Sequence, residues 1–535
     1  MKQEGTTESS LPAGHGDTVG QPSAKVGATT DEATQPPHHD GYTVSTSGSS
    51  ANESVKVIGW EGDDDPENPK NFPFKRRWFI TSVISLYGIL SPMSSSMIAP
   101  CIPAISNDLH VTQPFQQNMM VSVFLLGYVI GPFLLGPLSE IYGRRPLLML
   151  ANFIFVVFTV GCARSTTFGE LVAFRLLSGL GGSGPITIGG GILGDLWRAE
   201  ERGRASALYA LGPLLGPSIG PIIGGWIIQK GVSWRWIFYI LIIVGASAGT
   251  AGAILLPETF APVLIQRKIR RLRDEQSEAH GTEEKEQESH HATVLRSRYD
   301  RDETFRQLLF RSLVRPFILL FTQPIVMVIT AYQAILLGTY YILIVSYVDV
   351  FRKTYNEDVG IASLNYLALA LGSLMGRQGG TFIMDKLYRR LKARNNGEGT
   401  PEMRIILLSA ACLSIPSGMI IFGWAVQYRV HWFVADLGAF FFTMGMVNVV
   451  FVVQTYTIDV YTLYAASALA ASNSVRSMFA FGFPLFSTAM FDALGYGWGC
   501  TLLGLLALIV GGPGALVLYF FGPRLRARST YATGE

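Results

Sequence analysis

Residues 212–225 read GPLLGPSIGPIIGG, and this stretch decides the fold. Its glycines, the first four of them spaced four residues apart, are Gly212, Gly216, Gly220, Gly224 and Gly225. On a helix this spacing produces one stripe without side chains, interrupted by prolines such as Pro221. In water such a helix would be unstable, because proline removes a backbone donor and glycine has poor helix propensity. The stretch lies in an apolar run, residues 205–229, long enough to cross a bilayer, where neighbouring helices satisfy the freed carbonyls.

A second stripe of glycines lies far downstream, at Gly372, Gly376 and Gly380. Small residues at this spacing allow two helix backbones to come very close. We predict that the two stripes face each other and form a hinge or seal in the middle of the molecule. The alternative is that each stripe packs against a neighbour of its own, and helical spacing alone leaves both arrangements open.

The composition excludes an ordinary soluble protein. Of 535 residues, 49% are hydrophobic and only 15% are charged, whereas a soluble domain has roughly 25% charged residues. The hydrophobic residues come in long blocks rather than in the alternation typical of strands, so we predict an all-α membrane protein. The four cysteines have neither metal-site nor disulfide spacing, and we expect no metal. The sequence contains no Gly-Lys dipeptide and therefore no phosphate-binding loop of an ATP-driven pump.

Twelve apolar blocks are long enough to be transmembrane helices. Their approximate limits are 78–100, 117–138, 146–163, 168–193, 205–229, 234–256, 317–348, 359–381, 404–424, 430–456, 463–491 and 495–521. The predicted regions are a disordered tail (1–70), a six-helix bundle (71–257), a charged cytoplasmic linker loop (258–316), a second six-helix bundle (317–522) and a short cytoplasmic tail (523–535). Lys and Arg are concentrated in the linker and in alternate loops, so the positive-inside rule places both termini in the cytoplasm.

The loop between spans 2 and 3 reads GPLSEIYGRRP. It resembles the signature loop of the major facilitator superfamily, and the matching residues are Gly136, Glu140, Gly143, Arg144 and Arg145. Two positions depart from the family pattern: Glu140 replaces the usual aspartate, and Ile141 stands where a basic residue is usual.

Further motifs are similar to one branch of this superfamily. Arg175 in FRLLSGLGGSG resembles the family's span-4 motif, and the glycine stretch of span 5 resembles that of its drug:proton antiporters. LPETFAPVLIQRK after span 6 and SALAASNSVRSMF in span 11 resemble the fungal twelve-span members. The resemblance covers nearly all of residues 60–522. It implies two six-helix bundles with spans 1, 4, 7 and 10 around a cavity and spans 2, 5, 8 and 11 between the bundles.

The resemblance also gives the signature loop a role at the cytoplasmic edge of the contact between spans 2 and 11. Glu140 would favour the positive N-terminal end of span 11 and pair with an arginine, and this contact would latch the outward-facing state. Alternatively, Arg144 and Arg145 only obey the positive-inside rule.

Charges at membrane depth are costly and are candidates for function. The resemblance makes Arg175 the candidate for proton coupling, and the alternative is a structural arginine bonded to backbone carbonyls. Asp436, near the outer end of span 10, is the candidate proton carrier. The alternatives are that it binds a cationic substrate or that it is a solvated residue at the mouth of that span. Arg476 in span 11 is interpreted as an inward-facing structural charge.

The expected cavity is lined by aromatic residues, methionines and a few amides. The candidates are Met93, Tyr332, Gln333, Tyr340, Phe441 and Asn448. Such a lining suits lipophilic, moderately polar molecules and adapts to several shapes. Each of these side chains could instead face lipid or a neighbouring span.

Together these features predict a transporter rather than an enzyme, because the spans hold no zinc-ligand spacing and no catalytic triad or carboxylate pair. The resemblance implies proton-coupled efflux of toxins, drugs or secondary metabolites from a plasma-membrane protein, with the vacuolar membrane as the alternative location. The expected partners are protons, a small lipophilic substrate and the lipid bilayer, with no cofactor other than the proton gradient, no nucleic acid and a monomeric state. The rival function is an uptake symporter or facilitator for a polyamine or a sugar.

Overall fold

A computed structural model describes residues 55–62, 64–198, 201–280, 294–297, 305–397 and 399–532. The helices up to the linker are α1 (Phe74–Ser96), α2 (Ile102–Asp108), α3 (Pro114–Tyr142), α4 (Arg144–Arg164), α5 (Phe168–Leu196), α6 (Arg202–Gln229), α7 (Arg235–Leu255) and α8 (Ala261–His280). Those that follow are α9 (Phe305–Thr322), α10 (Pro324–Tyr355), α11 (Val359–Leu364), α12 (Tyr366–Arg394), α13 (Ile406–Gln427), α14 (Trp432–Tyr461) and α15 (Ala465–Ala527).

Eleven helical stretches in the described ranges are long and apolar enough to cross a membrane. The last of them, α15, has 63 residues, and a straight helix of that length would measure about 95 Å. This is about three times the thickness of the hydrocarbon core. At Gly495 the φ angle is +72°, which breaks the helix into two segments that serve as spans 11 and 12. The predicted all-α membrane fold of twelve spans is therefore confirmed.

Spans 1 to 6 are α1 and α3 to α7, and spans 7 to 10 are α10, α12, α13 and α14. Span 7 begins later than predicted, because the apolar block over 317–348 is divided by Pro324. Gln323 before it has an extended conformation (φ −105°, ψ 105°), as a residue preceding proline usually does. The first part of the block belongs to α9, and the final helix continues to Ala527, beyond the predicted boundary at residue 522.

The prediction of a disordered tail over residues 1–70 is wrong for its last part, while residues 1–54 lie outside the described ranges. Strand β1 (Val55–Ile58) pairs in parallel with strand β2 (Val294–Ser297) of the linker. Ile58 packs with Ile265 and Ile269 of α8. A charged and polar stretch is thus ordered because the linker supplies both a strand partner and an apolar surface.

The membrane helices pack in two groups with matching internal order. In the N-terminal bundle α1 packs on α6, and α5 packs on both α3 and α4. In the C-terminal bundle α10 packs on α15, and α14 packs on both α12 and α13. The bundles meet through α3 with α15 and through α6 with α11 and α12, which are the span pairs 2–11 and 5–8 that the resemblance implied. We call the membrane face where α1 begins the termini face and the opposite face the far face.

Candidate functional site

The glycine stripe of α6 lies directly against the backbone of α1. A Cβ atom added at Gly212 would lie 2.7 Å from the backbone nitrogen of Ile89, and one at Gly220 would lie 2.5 Å from the carbonyl oxygen of Met93. Gly224 contacts the carbonyl of Met97 in the same way. Two helices can approach this closely only where one of them has no side chains. The stripe therefore belongs to the packing of spans 1 and 5 inside the N-terminal bundle.

The second stripe packs on α14, inside the C-terminal bundle. A Cβ added at Gly372 or Gly376 would collide with the backbone of Phe440 or Met444, respectively. The prediction that the two stripes face each other is therefore wrong, and each stripe has its own neighbour. The physical reason is that a stripe without side chains fits any close backbone and carries no information about which helix supplies it.

Span 5 nevertheless touches α11, the short helix that leads into span 8, near the far face and outside the two stripes. Gly225 lies against the hydroxyl of Ser363 and the carbonyl of Val359, and Gly360 lies against the amide of Gln229. Gly225 is thus the one residue of the predicted set of hinge glycines whose space is filled by the opposite bundle. Pro221 is buried within α6.

The signature loop is held by carboxylates of its own bundle. Arg144 contacts Asp195 at the end of α5 (Nε–Oδ2 3.4 Å) and donates a hydrogen bond to the hydroxyl of Ser139 (2.7 Å). Its guanidinium also lies over the ring of Phe260. Glu140, in contrast, is exposed and has no hydrogen bond or ion pair within the described ranges. The predicted pairing of Glu140 with an arginine or with the start of span 11 is therefore not found, since its side chain points to solvent.

Glu258, in the segment after α7, caps the helix that follows the signature loop. Its carboxylate accepts hydrogen bonds from the backbone N–H groups of Arg144 (3.0 Å) and Arg145 (3.2 Å), which are the first residues of α4. A negative charge is stabilising at that position because a helix N-terminus carries a partial positive charge. Gly143, with φ at +102°, leaves room for the carboxylate, and Gly136 packs near Thr187. Sequence reasoning missed Asp195 and Glu258, although Glu258 lies in the LPETF motif.

Arg175 is the most deeply buried charge at membrane depth, with 1% of its surface exposed. Its terminal nitrogens donate to the carbonyls of Ser94 (3.3 Å), Ser95 (3.2 Å) and Val121 (3.2 Å). These bonds tie spans 1, 2 and 4 together. Its described partners are backbone carbonyls rather than a carboxylate, so the geometry matches the structural alternative.

Asp436 is buried rather than solvated. It lies in the second turn of α14 with 8% of its surface exposed, and it accepts a hydrogen bond from the hydroxyl of Tyr347 (2.9 Å). The Tyr347 ring stacks on Phe422 and lies beside Tyr366. The carboxylate thus sits in an aromatic surrounding in the C-terminal bundle. Tyr347 was not found from sequence, because no local pattern links it to a residue 89 positions away.

The predicted cavity residues separate into different environments. The Tyr332 hydroxyl lies 3.5 Å from the sulfur of Cys412, and Gly511 packs against its ring, so it faces spans 9 and 12 rather than a cavity. Gln333 accepts a hydrogen bond from Ser472 of α15 (3.0 Å). Tyr340 lies beside Ser218 of α6, between the bundles.

The three remaining candidates lie as follows. Asn448 is half-buried, with its amide oxygen against Gly380 of α12. Met93 is buried where α1 contacts the α6 stripe, and Phe441 is half-buried with its ring against Phe440. Close packing within each bundle thus takes up several side chains that sequence alone would assign to a substrate.

Hydrogen bonds between the bundles lie at mid-depth or toward the far face in the part of the chain that the structure describes. Ser95 pairs with Tyr341 (2.9 Å), and Ser474 donates to the carbonyl of Val129 (3.2 Å). Asn118 donates to the carbonyl of Pro484 (2.9 Å) near the far face. The signature loop at the termini face makes its bonds inside its own bundle. This arrangement is the one expected of a conformation closed at the far face.

Comparison with known proteins is consistent with this geometry. The profile of the Major Facilitator Superfamily matches residues 84–484. The efflux pump vrtL of Penicillium aethiopicum is 40% identical over 484 residues, covering 90% of this chain and 93% of that protein. The efflux pump radE of Floropilus chiversii is 40% identical over 476 residues, covering 89% and 86%, respectively.

Among solved structures, a partially occluded, inward-open conformation of the xylose transporter XylE from E. coli has the same fold. The TM-score is 0.58 at 16% identity, and the match covers 83% of this chain and 99% of that one. An identity this low shows the fold alone. The family match and the two pump relatives go further: this chain belongs to the Major Facilitator Superfamily and is a multi-pass membrane transporter, not an enzyme.

Proposed function

We propose that this protein exports lipophilic small molecules, such as secondary metabolites, toxins or drugs, by alternating access. The observation that carries the proposal is the similarity to proteins named efflux pumps, at 40% identity over about nine-tenths of the chain. The close packing of the α6 glycine stripe on α1 supports this proposal. That contact makes the N-terminal bundle a rigid unit, as movement of one bundle against the other requires.

Alternating access needs strong contacts within bundles and weaker contacts between them. Backbone-to-backbone packing joins α1 with α6 and α12 with α14. The bundles themselves are joined by small hydroxyl and amide groups, such as Ser95 with Tyr341. Hydrogen bonds of this kind contribute about 1 kcal/mol each. Rocking can therefore break and reform them without unpacking either bundle.

Asp436 is our candidate for the proton carrier. A carboxyl group surrounded by aromatic rings can be neutral when protonated and charged when not, and Tyr347 can hydrogen bond to either form. Arg175 would act separately, because its bonds to three carbonyls hold spans 1, 2 and 4 in place next to the bundle interface. Proton-coupled antiport in the plasma membrane is part of this proposal, as are a monomeric state and cytoplasmic termini.

The test is transport into everted plasma-membrane vesicles from a yeast that lacks its own drug pumps. With the vesicle interior acidified, the wild-type protein should accumulate a substrate first identified by growth protection on a panel of lipophilic antifungal compounds. Asp436→Asn should abolish the dependence on the pH gradient. The matched control is Asp492→Asn, which changes an exposed carboxylate between spans 11 and 12.

Two results would overturn the proposal. Uptake into intact cells driven by an inward proton gradient would instead show a symporter, the function expected of a polyamine or sugar carrier. Undiminished gradient-dependent export by Asp436→Asn would remove the assignment of the proton carrier.

A further inference from the structure

Arg476 is a cation at membrane depth without a counter-ion. It lies in α15, 11 residues beyond the start of the helix at Ala465, which is about 16 Å along the axis and so close to mid-membrane. The residue is half-buried, and its Nε atom is fully buried without a hydrogen-bond partner. Within the described ranges no ion pair or hydrogen bond is found for its side chain. An unpaired charge at this depth raises the free energy of the folded protein, so such a residue is a candidate for a functional role.

The surroundings of Arg476 place it at the junction of the two bundles. Two nearby serines of α15 contact different helices: Ser474 bonds to α3 of the opposite bundle, and Ser472 bonds to α10. Arg476 lies near Tyr341, whose hydroxyl bonds to Ser95 of α1. Spans 2 and 7 therefore contact α15 within about one helical turn of Arg476, and span 1 contacts span 7 at Tyr341.

Arg175 is near the same tyrosine hydroxyl but differs from Arg476 in what its terminal nitrogens contact. The Nε atom of each arginine is buried without a hydrogen-bond partner among the described residues. The terminal nitrogens of Arg175 are engaged by three carbonyls, however, whereas those of Arg476 are not engaged by the described residues. Two guanidinium groups are thus near the Tyr341 hydroxyl, and the terminal nitrogens of Arg476 are available to bind a ligand.

Apolar groups accompany this positive charge. The tilted rings of Phe479 and Phe483 contact each other along α15, and Tyr340 and Tyr341 contact each other edge to face on α10. Within the described ranges, the acidic side chains of these spans lie near the span ends: Glu140 and Asp492 are exposed, and Asp349 pairs with Lys353 (3.4 Å). Asp436 of span 10 is bonded to Tyr347. A ligand that satisfies this site carries one negative group on an apolar body.

We propose that Arg476 is the anion-recognition residue of the transport site, and that the preferred substrates are lipophilic weak acids bearing a carboxylate or an acidic enol. This inference rests on the proposed efflux function and specifies its substrate class. The guanidinium would take the acidic group in charge-assisted hydrogen bonds. The tyrosine and phenylalanine rings would contact the apolar body.

The test compares an acid with its neutral ester. Binding of pyrenebutyric acid and of its methyl ester to the full-length protein in lipid nanodiscs is followed by pyrene fluorescence. We expect the wild type to bind the acid at least about tenfold more tightly, the scale of one charge-assisted hydrogen bond. Arg476→Gln should reduce acid affinity to that of the ester and leave ester affinity unchanged, and Arg476→Lys should keep part of the preference.

The matched control is Arg377→Gln, which removes a half-buried arginine of α12 that lies over the ring of Phe451 inside its own bundle. It should leave the preference for the acid unchanged. Equal weakening of acid and ester binding by Arg476→Gln would show a structural role and overturn the inference, as would a wild type without preference for the acid.

The same variants separate this inference from the efflux proposal. A wild type that binds the acid but exports no compound would overturn efflux and leave acid recognition standing. A wild type that exports neutral and acidic compounds alike would overturn acid recognition and leave efflux standing.

Discussion

The first and fifth spans of each bundle pack together, but the two bundles do this in different ways. In the N-terminal bundle the glycines of α6 touch the backbone of α1, and no side chain can move aside to make room. In the C-terminal bundle the glycine is on α10, where Gly338 faces the ring of Phe483 on α15. Hydroxyl and amide groups such as Ser472 and Gln333 add to that contact. Equivalent helix contacts in the two bundles therefore differ in how well they accommodate a larger side chain in place of glycine.

The largest effect is expected for Gly220→Leu. The new side chain would start 2.5 Å from the carbonyl oxygen of Met93, so α1 and α6 would have to separate. We expect export to be abolished and the thermal midpoint to fall, since overpacking of this kind costs about 1–3 kcal/mol or more. The export rate of the variant and the amount of variant protein at the cell surface are measured in the same cells.

Gly190→Leu is the control for that variant. Gly190 is an exposed helical glycine of α5, and a Cβ added there meets nothing within 4 Å. Its export should stay near that of the wild type. Normal export by Gly220→Leu would contradict the interpretation of the α6 stripe as a rigid contact.

A smaller effect is expected for Gly338→Ala in the equivalent contact. Its Cβ would lie 2.6 Å from the ring of Phe483, which can rotate, and 3.2 Å from the carbonyl oxygen of Phe479. We expect a loss of stability of about 1 kcal/mol and partial retention of export. The double variant with Phe483→Leu should recover stability, measured as a thermal midpoint. Failure to recover would mean that the backbone, not the ring, limits this contact as well.

The loops at the termini face provide a second comparison between the bundles. Arg144 pairs with Asp195 in the first bundle, and Arg404 pairs with Asp459 at the corresponding place in the second (2.6 Å). Partly exposed pairs contribute at most about 1 kcal/mol, so Asp195→Asn and Asp459→Asn should each lower the transport rate severalfold at most. Substrate preference should not change. Glu140→Gln, at an exposed residue, is the control. A larger loss of transport rate from Glu140→Gln would support the prediction that Glu140 latches the outward-facing state.

The smallest effect on transport is expected outside both bundles, at Asp65. Burial raises the pKa of Asp65, but hydrogen bonds from the backbone N–H groups of Glu61 and Glu67 and the charge of Lys268 outweigh it, so the pKa is lowered overall. A lowered pKa stabilises the ordered segment above the unfolded pKa of about 3.9. This stabilisation is lost as the pH falls through the lower folded value.

Hydrogen exchange of residues 55–71 measures this contribution. Asp65→Asn should speed exchange at pH 7 and remove the pH dependence below pH 4, while export stays unchanged. Glu67→Gln is the control because the Glu67 side chain is exposed and, in the part of the chain that the structure describes, pairs with the exposed Arg271. Unaltered exchange in Asp65→Asn would show that the apolar contacts of Ile58 alone order this segment.

Much of the membrane topology could be predicted because it depends on local composition. Long apolar blocks, the positions of Lys and Arg and the motif residues all lie in continuous stretches of sequence. The boundary of span 7 was misjudged for the same reason, since hydropathy does not register that Pro324 divides a single apolar block. The ordered segment over residues 55–70 was missed because its partner strand and helix lie more than 200 residues away.

The candidate functional residues were predicted by type but not by partner. Arg175 and Asp436 stand out in the sequence as charges in apolar surroundings. Their partners, the carbonyls of three other helices and the hydroxyl of Tyr347, depend on how the helices cross. In this conformation, which is closed at the far face, Glu140 is exposed, and Asp195 and Glu258 make the contacts of the signature loop. The role of Glu140 in the outward-facing state stays a prediction.

The sequence by itself determined that this chain is a bundle of membrane helices, which helices have a face without side chains, and where rare charges enter the apolar spans. Only the tertiary structure decided that each glycine face serves its own bundle and that Arg476 lies between the two bundles with no counter-ion among the described residues. The physical reason is that hydrophobicity and helical period are properties of one segment. A close contact or a missing counter-charge, in contrast, is a relation between segments that are far apart in the chain.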